Sequence, residues 1–553
     1  MPKSSSPAIR LLPGDFETTR QDLMGRLVAN RSFLQGLIRY GGVETLHVYT
    51  PQQACLSTAL EHFARDLDAS IPLHIIEGHQ LDRLTEVGGL MLCDPNLVDN
   101  ARARSFVGAR AYALTGLTHT MADFVVMAMI ADLATAPVQP WDALICTSRA
   151  VAAMVKELLQ VEEARLAERL GATRFPRPLL PVIPLGIDAA RFASRQEWRA
   201  AWRERLGIGA EEVATLYVGR LSRHGKAHPL PMLAALGRAA QIQPHPPLHL
   251  ILAGWWLHPP EEAIWREQAA VFCPEVRLHI LDGRDEVVQR QIWSAADIFT
   301  FLVDNIQETF GLALAEAMAA GLPVVATDWN GFRDTVRHGV DGMLVPTLMP
   351  PPGEGLETSL RHATMNIHYG SWLSLTARLT VVDIGAAAEA FRALIADPAL
   401  RHRMGAAGQL RVREAFDWAV VIPQYQALWR EQQEIRSAAP VKGAGSGFSV
   451  PDPRYMDATQ AFAAWPGGTF QPSQRLKPDP AAATVDLPTL LRFTAPALPS
   501  ELDEAGIAGL LIQLHRRGEA TTQELLELLD PAQRSAGMRA VLWLRRAGLV
   551  TAA

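Results

Sequence analysis

The chain has 553 residues, 48% hydrophobic and 20% charged, which is ordinary for a globular protein. Its net charge of −6 argues against a protein whose main task is to bind nucleic acid. Four scattered cysteines without a Cys-x-x-Cys pair favour neither a disulfide framework nor a zinc cluster. The N-terminal segment lacks the apolar core of a secretory signal, and no apolar run has the length of a membrane span. We therefore expect a cytoplasmic protein without a metal.

The first third of the chain alternates helical patterns with short β-branched runs. Residues 45–50, 73–78 and 143–148 are predicted strands, and the stretches between them are predicted helices. This alternation is typical of an α/β domain with a parallel sheet. A proline-dense segment at 174–192 then suggests a crossing between domains, so we predict an N-terminal domain over 1–182.

A second α/β pattern predicts another domain over 183–417. Its short, almost continuous apolar runs are typical of buried parallel strands. Five such runs are predicted, at 215–221, 248–255, 276–281, 297–303 and 323–327. Residues 346–382 interrupt the pattern and are predicted to be an insertion. A long helical pattern at 418–436 closes the region, and we expect that helix to return to the first domain.

The rest of the chain differs in composition. Residues 437–488 are rich in Ala, Pro, Gly and Ser and are predicted to be a flexible linker. Residues 489–553 show three helical stripes, with Thr521 or Thr522 as the N-cap of the second, which predicts a small winged-helix-like module. Residues 501–553 hold seven acidic and six basic side chains, a poor match for DNA. Protein binding or self-association is therefore the preferred role, and DNA binding the alternative.

Residues 308–327, ETFGLALAEAMAAGLPVVAT, carry two glutamates eight positions apart. A helix is predicted to begin near Gly311 and Leu312, where unpaired amide groups and the helix dipole attract an anion. Glu316 lies about one turn inside that helix, and Glu308 precedes it. This arrangement suits a phosphorylated ligand with hydroxyl groups on both sides, such as a nucleotide-sugar. Two solvated surface glutamates are the alternative interpretation.

Residues 216–226, LYVGRLSRHGK, end a predicted strand with Gly219 and continue with Arg220 and Lys226. Loops at the carboxyl ends of parallel strands are where α/β sheets bind ligands. A guanidinium binds a diphosphate through two hydrogen bonds, and an ammonium adds a point charge. Together with the predicted helix terminus, these side chains would form a cradle for a leaving diphosphate.

Four motifs in order give the chain from about 140 to 436 a family resemblance. They are PVIPLGIDAARF at 181–192, VGRLSRHGK at 218–226, the stretch 294–346 with the Glu-x7-Glu pair, and AFDWAVVIPQYQALW at 415–429. In type and spacing they resemble the family-4 retaining glycosyltransferases. That resemblance implies the GT-B fold, in which two Rossmann-like domains face a cleft, the first binding the acceptor and the second a nucleotide-sugar.

The resemblance also implies roles for individual residues. Arg220 and Lys226 would hold the diphosphate, Glu308 would contact the donor sugar, and Glu316 would contact the ribose hydroxyls. Further donor contacts are expected from Gly219, Phe310, Gly311 and Leu312.

The N-terminal half resembles the family less closely. TGLTHTMA at 115–122 is similar to a segment in which a histidine faces the donor sugar, so His119 is the candidate there. Gly25 and Arg26 are candidates beside the acceptor, although the early glycine pair of the family is not evident. The chain also departs from the family after the second-domain strands, with Asp304 and Asn305 in place of Pro-Ser, and with Asn330, Gly331 and Asp334 in place of a double glycine and a glutamate.

The predicted function is sugar transfer from a nucleoside-diphosphate sugar to an unknown acceptor, with retention at the anomeric carbon. The acceptor stays open among carbohydrate, lipid and protein, as do the nucleotide base, peripheral membrane contact and homo-oligomerisation. No cofactor beyond the donor is expected. The alternative is a non-catalytic or regulatory GT-B scaffold with a C-terminal interaction or DNA-binding module.

Overall fold

The structure is a computed structural model that describes residues 6–12, 25–51, 71–241, 245–256, 260–440, 452–482, 487–492 and 501–553. The chain divides into two compact units, residues 1–449 and residues 450–553. The larger unit contains two parallel sheets of six strands each, and the smaller contains a three-stranded sheet with helices. Both parallel sheets were expected from the alternating pattern, and both are typical of GT-B proteins.

The first sheet has the strand order β3-β2-β1-β4-β5-β6, and all its neighbours run parallel. Its strands are β1 (Ala8–Arg10), β2 (Leu46–Thr50), β3 (Leu73–Glu77), β4 (Gly89–Met91), β5 (Ala113–Leu117) and β6 (Ala143–Ile145). The predicted strands correspond to β2, β3 and β6. The other three were missed because β1 and β4 have three residues each, and β5 carries Thr115 and Gly116 within a short run.

Five described helices belong to this first region. They are Gly25–Tyr40, Leu81–Val87, Leu97–Arg104, Phe124–Asp132 and Arg149–Leu170. Polar side chains fix two of their starts: Asp123 accepts a hydrogen bond from the Val125 amide, and Ser148 accepts one from the Val151 amide. Such N-caps satisfy amides that have no partner inside the helix. The two caps follow strands β5 and β6, so both helices begin after the carboxyl ends of these strands.

The second sheet has the strand order β12-β11-β10-β7-β8-β9, again with all neighbours parallel. Its strands are β7 (Val213–Val218), β8 (Leu248–Gly254), β9 (Val276–Asp282), β10 (Ile298–Phe301), β11 (Val324–Thr327) and β12 (Gly342–Val345). The five predicted runs match β7 to β11, and β12 was missed. Strands β8, β10 and β11 are buried along their whole length, which explains why their sequences are continuously apolar.

Helices surround the second sheet, and residues 346–382 form a separate excursion from it. The helices are Gln196–Leu206, Pro229–Ala240, Pro260–Phe272, Glu286–Gln291, Leu312–Ala319, Phe332–Thr335, Ile384–Ala396 and Pro398–Ala415. The excursion holds the antiparallel pair β13 (Thr347–Leu348) and β14 (Val381–Val382), with helices Leu356–Ala363 and Tyr369–Ala377 between them.

The long helix Trp418–Ala438 packs against elements of the first sheet. The Gln432 amide donates to the carbonyls of Leu114 and Trp141, and the Trp418 indole donates to the Ser32 hydroxyl at 2.7 Å. A Cβ on Gly36 would lie 2.6 Å from the Trp418 ring, so glycine is needed for the helices to approach. Although it follows the second sheet in sequence, this helix therefore lies against the first domain.

The smaller unit has its own core and sheet. Its helices are Ala458–Ala461, Leu487–Arg492, Glu504–Arg517, Thr522–Leu526 and Arg534–Arg546, and its strands are β15 (Arg475–Pro478), β16 (Ala520–Thr521) and β17 (Val550–Ala552). Thr521 caps its helix with a reciprocal bond to Glu524, as the sequence suggested. The three predicted helices are present, and the winged-helix-like assignment stays a prediction.

The linker prediction for 437–488 was wrong in part. Strand β15 is the central strand of the small sheet, antiparallel to both β16 and β17, and Leu476 is fully buried. Residues 437 and 438 belong to the preceding long helix. The strand was missed because its pairing partners lie more than 40 residues away, so nothing in the local sequence marks it. Residues 441–451 and 483–486 of the predicted linker lie outside the described residues.

No helix in the described parts of the chain is both long and apolar enough to span a membrane.

Candidate active site

The topology brings the sequence-predicted residues together at one place on the second sheet. Strands β7 and β10 are neighbours there, although the connections leave them in opposite directions along the sheet. Such a switch in strand order opens a crevice at the carboxyl ends of the strands, where α/β proteins bind ligands. Arg220 and Lys226 follow β7, and Glu308 follows β10. The two predicted motifs therefore meet at this crevice.

Lys226 and Glu308 form an ion pair, with side chains that are 22% and 14% exposed. Burial alone would raise the pKa of Glu308, but the charge and hydrogen bond of Lys226 outweigh it and hold the pKa below its usual value. The carboxylate is therefore ionised at neutral pH. The ammonium also lies 5.0 Å from the centre of the Phe301 ring, a favourable cation–π distance.

Arg220 is held by the segment that carries Glu308. Its guanidinium donates to the Gln307 side-chain oxygen at 2.9 Å and to the Gly225 carbonyl at 3.4 Å. Gly219 precedes it with φ of 149°, a conformation that side chains disfavour. The backbone here also passes close to β8, because a Cβ on Gly254 would lie 2.1 Å from the Gly219 carbonyl oxygen.

The helix Leu312–Ala319 begins at this crevice, as the sequence predicted. Its N-cap is Gly311 in the left-handed conformation, with φ of 85°, and a Cβ there would lie 2.4 Å from the Phe332 ring. Only glycine fits both the backbone and the packing. The Phe310 side chain is buried against Phe416, so it can offer a ligand its backbone only. Leu312 is the first residue of the helix, where amide groups lack partners within the helix.

Glu316 lies on the second turn of this helix and is half-buried. Burial raises its pKa to about 7, although the positive charges of Arg191 and Lys226 oppose that rise. Among the described residues its carboxyl makes no side-chain hydrogen bond. The group is thus close to half ionised at neutral pH and able to accept hydrogen bonds from a ligand's hydroxyl groups.

His119 lies two residues beyond β5 on the first sheet. Its Nε2 is 3.0 Å from the Cys93 carbonyl oxygen, so this nitrogen carries the proton and donates it. Burial lowers the pKa of His119 to about 4, against the raising effect of that hydrogen bond. The ring is therefore neutral at physiological pH, and its Nδ1 can accept a hydrogen bond from a hydroxyl group.

Gly25 and Arg26 begin the helix Gly25–Tyr40 and are both exposed. The Arg26 charge is near enough to His119 to help lower the pKa of that histidine. The structure therefore brings Arg26 into the neighbourhood of His119. No contact supports a role for Gly25, and a Cβ there would meet nothing within 4 Å.

Several supporting residues were not assigned such roles from sequence. Asn305 donates to the His224 carbonyl at 2.7 Å, and Asp304 accepts from the His228 amide at 3.2 Å, so both departures from the family pattern hold the loop after β7.

Asn330 donates to the Glu308 carbonyl at 3.1 Å and accepts from the Ser148 hydroxyl, which links the two domains. The sequence could have pointed to Gln307 as a site residue, because it lies next to Glu308. No feature of the sequence marks the pairings of Asn305, Asp304 and Asn330.

Comparison with known proteins gives a family match for part of the chain. Residues 212–351 match the family model described as "Glycosyl transferases group 1". Over 199 residues the chain is 35% identical to a D-inositol 3-phosphate glycosyltransferase of Geodermatophilus obscurus, a match that covers 33% of this chain and 40% of that protein. The chain thus spans well under two thirds of the length of that curated relative.

Solved structures agree on the fold. A glycosyltransferase from Rickettsia africae has a TM-score of 0.51 at 12% identity, covering 77% of this chain and 98% of that one. The Anabaena protein Alr3699/HepE, solved in complex with UDP, has a TM-score of 0.49 at 17% identity, covering 77% of this chain and 100% of that one. The family match identifies residues 212–351 as a group 1 glycosyltransferase region, and the two parallel sheets, with the likeness to the Rickettsia africae structure, show the GT-B fold.

Proposed function

We propose that the protein transfers a sugar from a nucleoside-diphosphate sugar to an acceptor, with retention at the anomeric carbon. One observation carries the proposal: at the crevice of the second sheet Lys226 pairs with Glu308, Arg220 bonds to the neighbouring Gln307, and the amide of Gly311, the N-cap of the helix Leu312–Ala319, donates to Glu308. Two cations and a set of unpaired amides are the groups that a diphosphate requires. The neighbouring carboxylates are acceptors for sugar and ribose hydroxyls.

The donor would lie across this crevice. Arg220, Lys226 and the first amides of the helix would neutralise the diphosphate, and Glu316 would accept hydrogen bonds from the ribose. Glu308, held by Lys226, would face the sugar. His119 would accept a hydrogen bond from the sugar through Nδ1, because its Nε2–H is used by Cys93.

The chemistry would depend on charge stabilisation rather than on a covalent nucleophile. Cleavage of the glycosidic bond passes through an oxocarbenium-like state, and negative charge grows on the leaving diphosphate. Fixed cations near the leaving diphosphate lower the barrier because they need no reorganisation during the reaction. We assign no nucleophile: the acceptor would attack on the face that the diphosphate leaves, and a phosphate oxygen would take the acceptor's proton.

The acceptor stays open among carbohydrate, lipid and protein. The relative from Geodermatophilus obscurus is named for an acceptor that carries a phosphate group. The chain covers too little of that protein for the acceptor to be transferred.

A screen of UDP-, GDP- and ADP-sugars by thermal shift and calorimetry, without and with magnesium, tests the proposal. A ligand that binds only the folded state stabilises it by about 2.7 kcal/mol at a hundredfold excess over Kd. We expect one base to stabilise the protein, and expect Lys226→Ala and Glu316→Ala to lose that effect. Lys156→Ala, at an exposed position on the helix Arg149–Leu170, is the matched control. The absence of stabilisation by every donor would contradict the proposal.

We further propose that the C-terminal unit is a winged-helix-like module for protein binding or self-association. Its slight negative charge and the exposed side chains of Ile512, Leu528 and Leu542 support this role over DNA binding. Sedimentation of the full chain is expected to show a mass that rises with protein concentration. Retention of duplex DNA that weakens from 50 to 200 mM salt would instead indicate a nucleic-acid partner.

A further inference from the structure

Residues 346–382 form a folded excursion that returns to its starting point. Thr347 pairs with Val382 and Leu348 with Val381, so the two ends lie side by side. The helices Leu356–Ala363 and Tyr369–Ala377 lie between those ends, and the rings of His362 and Trp372 stack at 5.1 Å. We refer to residues 346–382 as the clasp.

The clasp contacts the loops that carry the donor-site cations. The Tyr369 hydroxyl oxygen accepts a hydrogen bond from Gln307 Nε2 at 3.1 Å, and Gln307 Oε1 accepts one from Arg220 at 2.9 Å. One turn further along the same helix, the Ser374 hydroxyl lies 2.7 Å from His224 Nδ1, within the loop from Arg220 to Lys226. One helix therefore contacts the loop from Arg220 to Lys226 directly through Ser374, and contacts it indirectly through Tyr369 and Gln307.

The clasp also contacts the first domain. The rings of Phe124 and His362 meet edge to face at 6.2 Å. The Thr120 side chain lies close enough to the Tyr369 phenol to affect its pKa. Thr120 follows His119, and Gln307 precedes Glu308, so the phenol lies between the two segments that carry the proposed donor-sugar contacts.

The order of atoms in this chain of hydrogen bonds has a chemical cause. A guanidinium only donates, so the amide oxygen of Gln307 must face Arg220. The amide nitrogen then faces away and needs an acceptor, which the Tyr369 oxygen provides. Burial raises the pKa of Tyr369, so the phenol keeps its proton at neutral pH. The hydroxyl therefore gives the Gln307 amide a second fixed contact, which adds to the one with Arg220 in holding its orientation.

We propose that Tyr369 is a positioning residue: through Gln307 it orients the Arg220 guanidinium toward the diphosphate of the donor. This inference rests on the proposed function and assigns a role to the clasp. Its benefit is preorganisation, because a side chain already fixed in its bound geometry loses less freedom when the ligand arrives.

Calorimetric titration of the full chain with the nucleoside diphosphate and monophosphate of the base found in the screen tests the inference. Tyr369→Phe removes the hydroxyl and keeps the ring beside Trp372. We expect it to weaken diphosphate binding about three- to tenfold, the value of one neutral hydrogen bond, and to change monophosphate binding less. Thr376→Val is the matched control, since that hydroxyl donates to the Trp372 carbonyl within the same helix.

A double-variant cycle separates positioning from a general structural effect. Gln307→Ala breaks the same series of hydrogen bonds by a substitution outside the clasp. It therefore still tests the inference if Tyr369→Phe disturbs the fold of the clasp. We expect the double variant to lose no more affinity than Gln307→Ala alone. The inference would be overturned, with the proposed function left standing, if Tyr369→Phe bound the diphosphate with wild-type affinity. The same holds if the affinity losses of the two single variants multiplied in the double variant. If the wild-type chain binds no nucleotide, the proposed function itself fails and this inference with it.

Discussion

The two parallel sheets share one strand order, but the crevices at their carboxyl edges differ. In the second sheet, Lys226 contacts Glu308 across the switch between β7 and β10, beside Arg220. At the corresponding switch in the first sheet, Arg10 ends β1 and forms an ion pair with Asp94 after β4. The Arg10 side chain is 7% exposed, so Asp94 largely neutralises a buried charge there.

This difference indicates what each crevice is suited to bind. The second has cations, a helix terminus, the ionised Glu308 and the partly ionised Glu316, which suit a ligand with a diphosphate and hydroxyl groups. Beside the first lies a neutral His119, which suits hydroxyl groups and not a phosphate.

The largest effect is expected from Lys226→Ala, which tests the charge in the second crevice. The substitution removes a donor to the diphosphate and leaves Glu308 without its ion pair. We expect turnover of the donor to fall about 10²–10³-fold, as when one fixed donor to a developing charge is lost. Initial-rate measurements check this, with Lys156→Ala as the control. Activity within a few fold of wild type would show that Lys226 does not bind the diphosphate.

Gly311→Ala tests whether the helix start needs glycine. The left-handed backbone costs a non-glycine residue about 1–2 kcal/mol, and the new Cβ would also press on the Phe332 ring. Gly339→Ala is the matched control, because its φ is 76° with nothing within 4 Å of a Cβ. In urea unfolding, Gly311→Ala should lose more stability than Gly339→Ala and also weaken donor binding. Equal losses would show that packing at Gly311 is unimportant.

His119→Ala tests whether the residue beside the first crevice contacts the sugar and not the diphosphate. Loss of one neutral hydrogen bond should lower turnover about three- to tenfold and leave affinity for the nucleoside diphosphate unchanged. The exposed His402→Ala is the control. Parallel loss of diphosphate affinity would instead place His119 against the phosphates.

The smallest expected effect is a change in proton binding at Glu316. Because burial raises the pKa of Glu316 to about 7, from about 4.3 in an unfolded chain, the folded protein holds the extra proton between those values. This contribution to stability is present at low pH and is lost as the pH rises through about 7.

Hydroxyl groups of a bound ribose favour the ionised carboxylate, so nucleotide binding at pH 6.5 should release a proton. Calorimetric enthalpies should then vary with the ionisation heat of the buffer, and Glu316→Gln should abolish that variation. Enthalpies independent of the buffer in the wild type would argue against a contact between Glu316 and the ligand.

The sequence predicts the second half of the molecule better than the first, for physical reasons. Strands such as β8 are buried on both faces and appear as apolar runs, and Gly311 marks a turn that other residues cannot adopt. Strand β1 has three residues, too few for a pattern. Strand β15 depends on partners distant in sequence. The role of Tyr369 depends on how the clasp folds back, which no local pattern encodes.

A crystal structure of the protein with the nucleoside-diphosphate sugar identified in the screen would test the central claim most directly. We predict the diphosphate within hydrogen-bond distance of Arg220, Lys226 and the first amides of the helix Leu312–Ala319, with the ribose against Glu316. A nucleotide bound at the first sheet, or away from both crevices, would contradict the account.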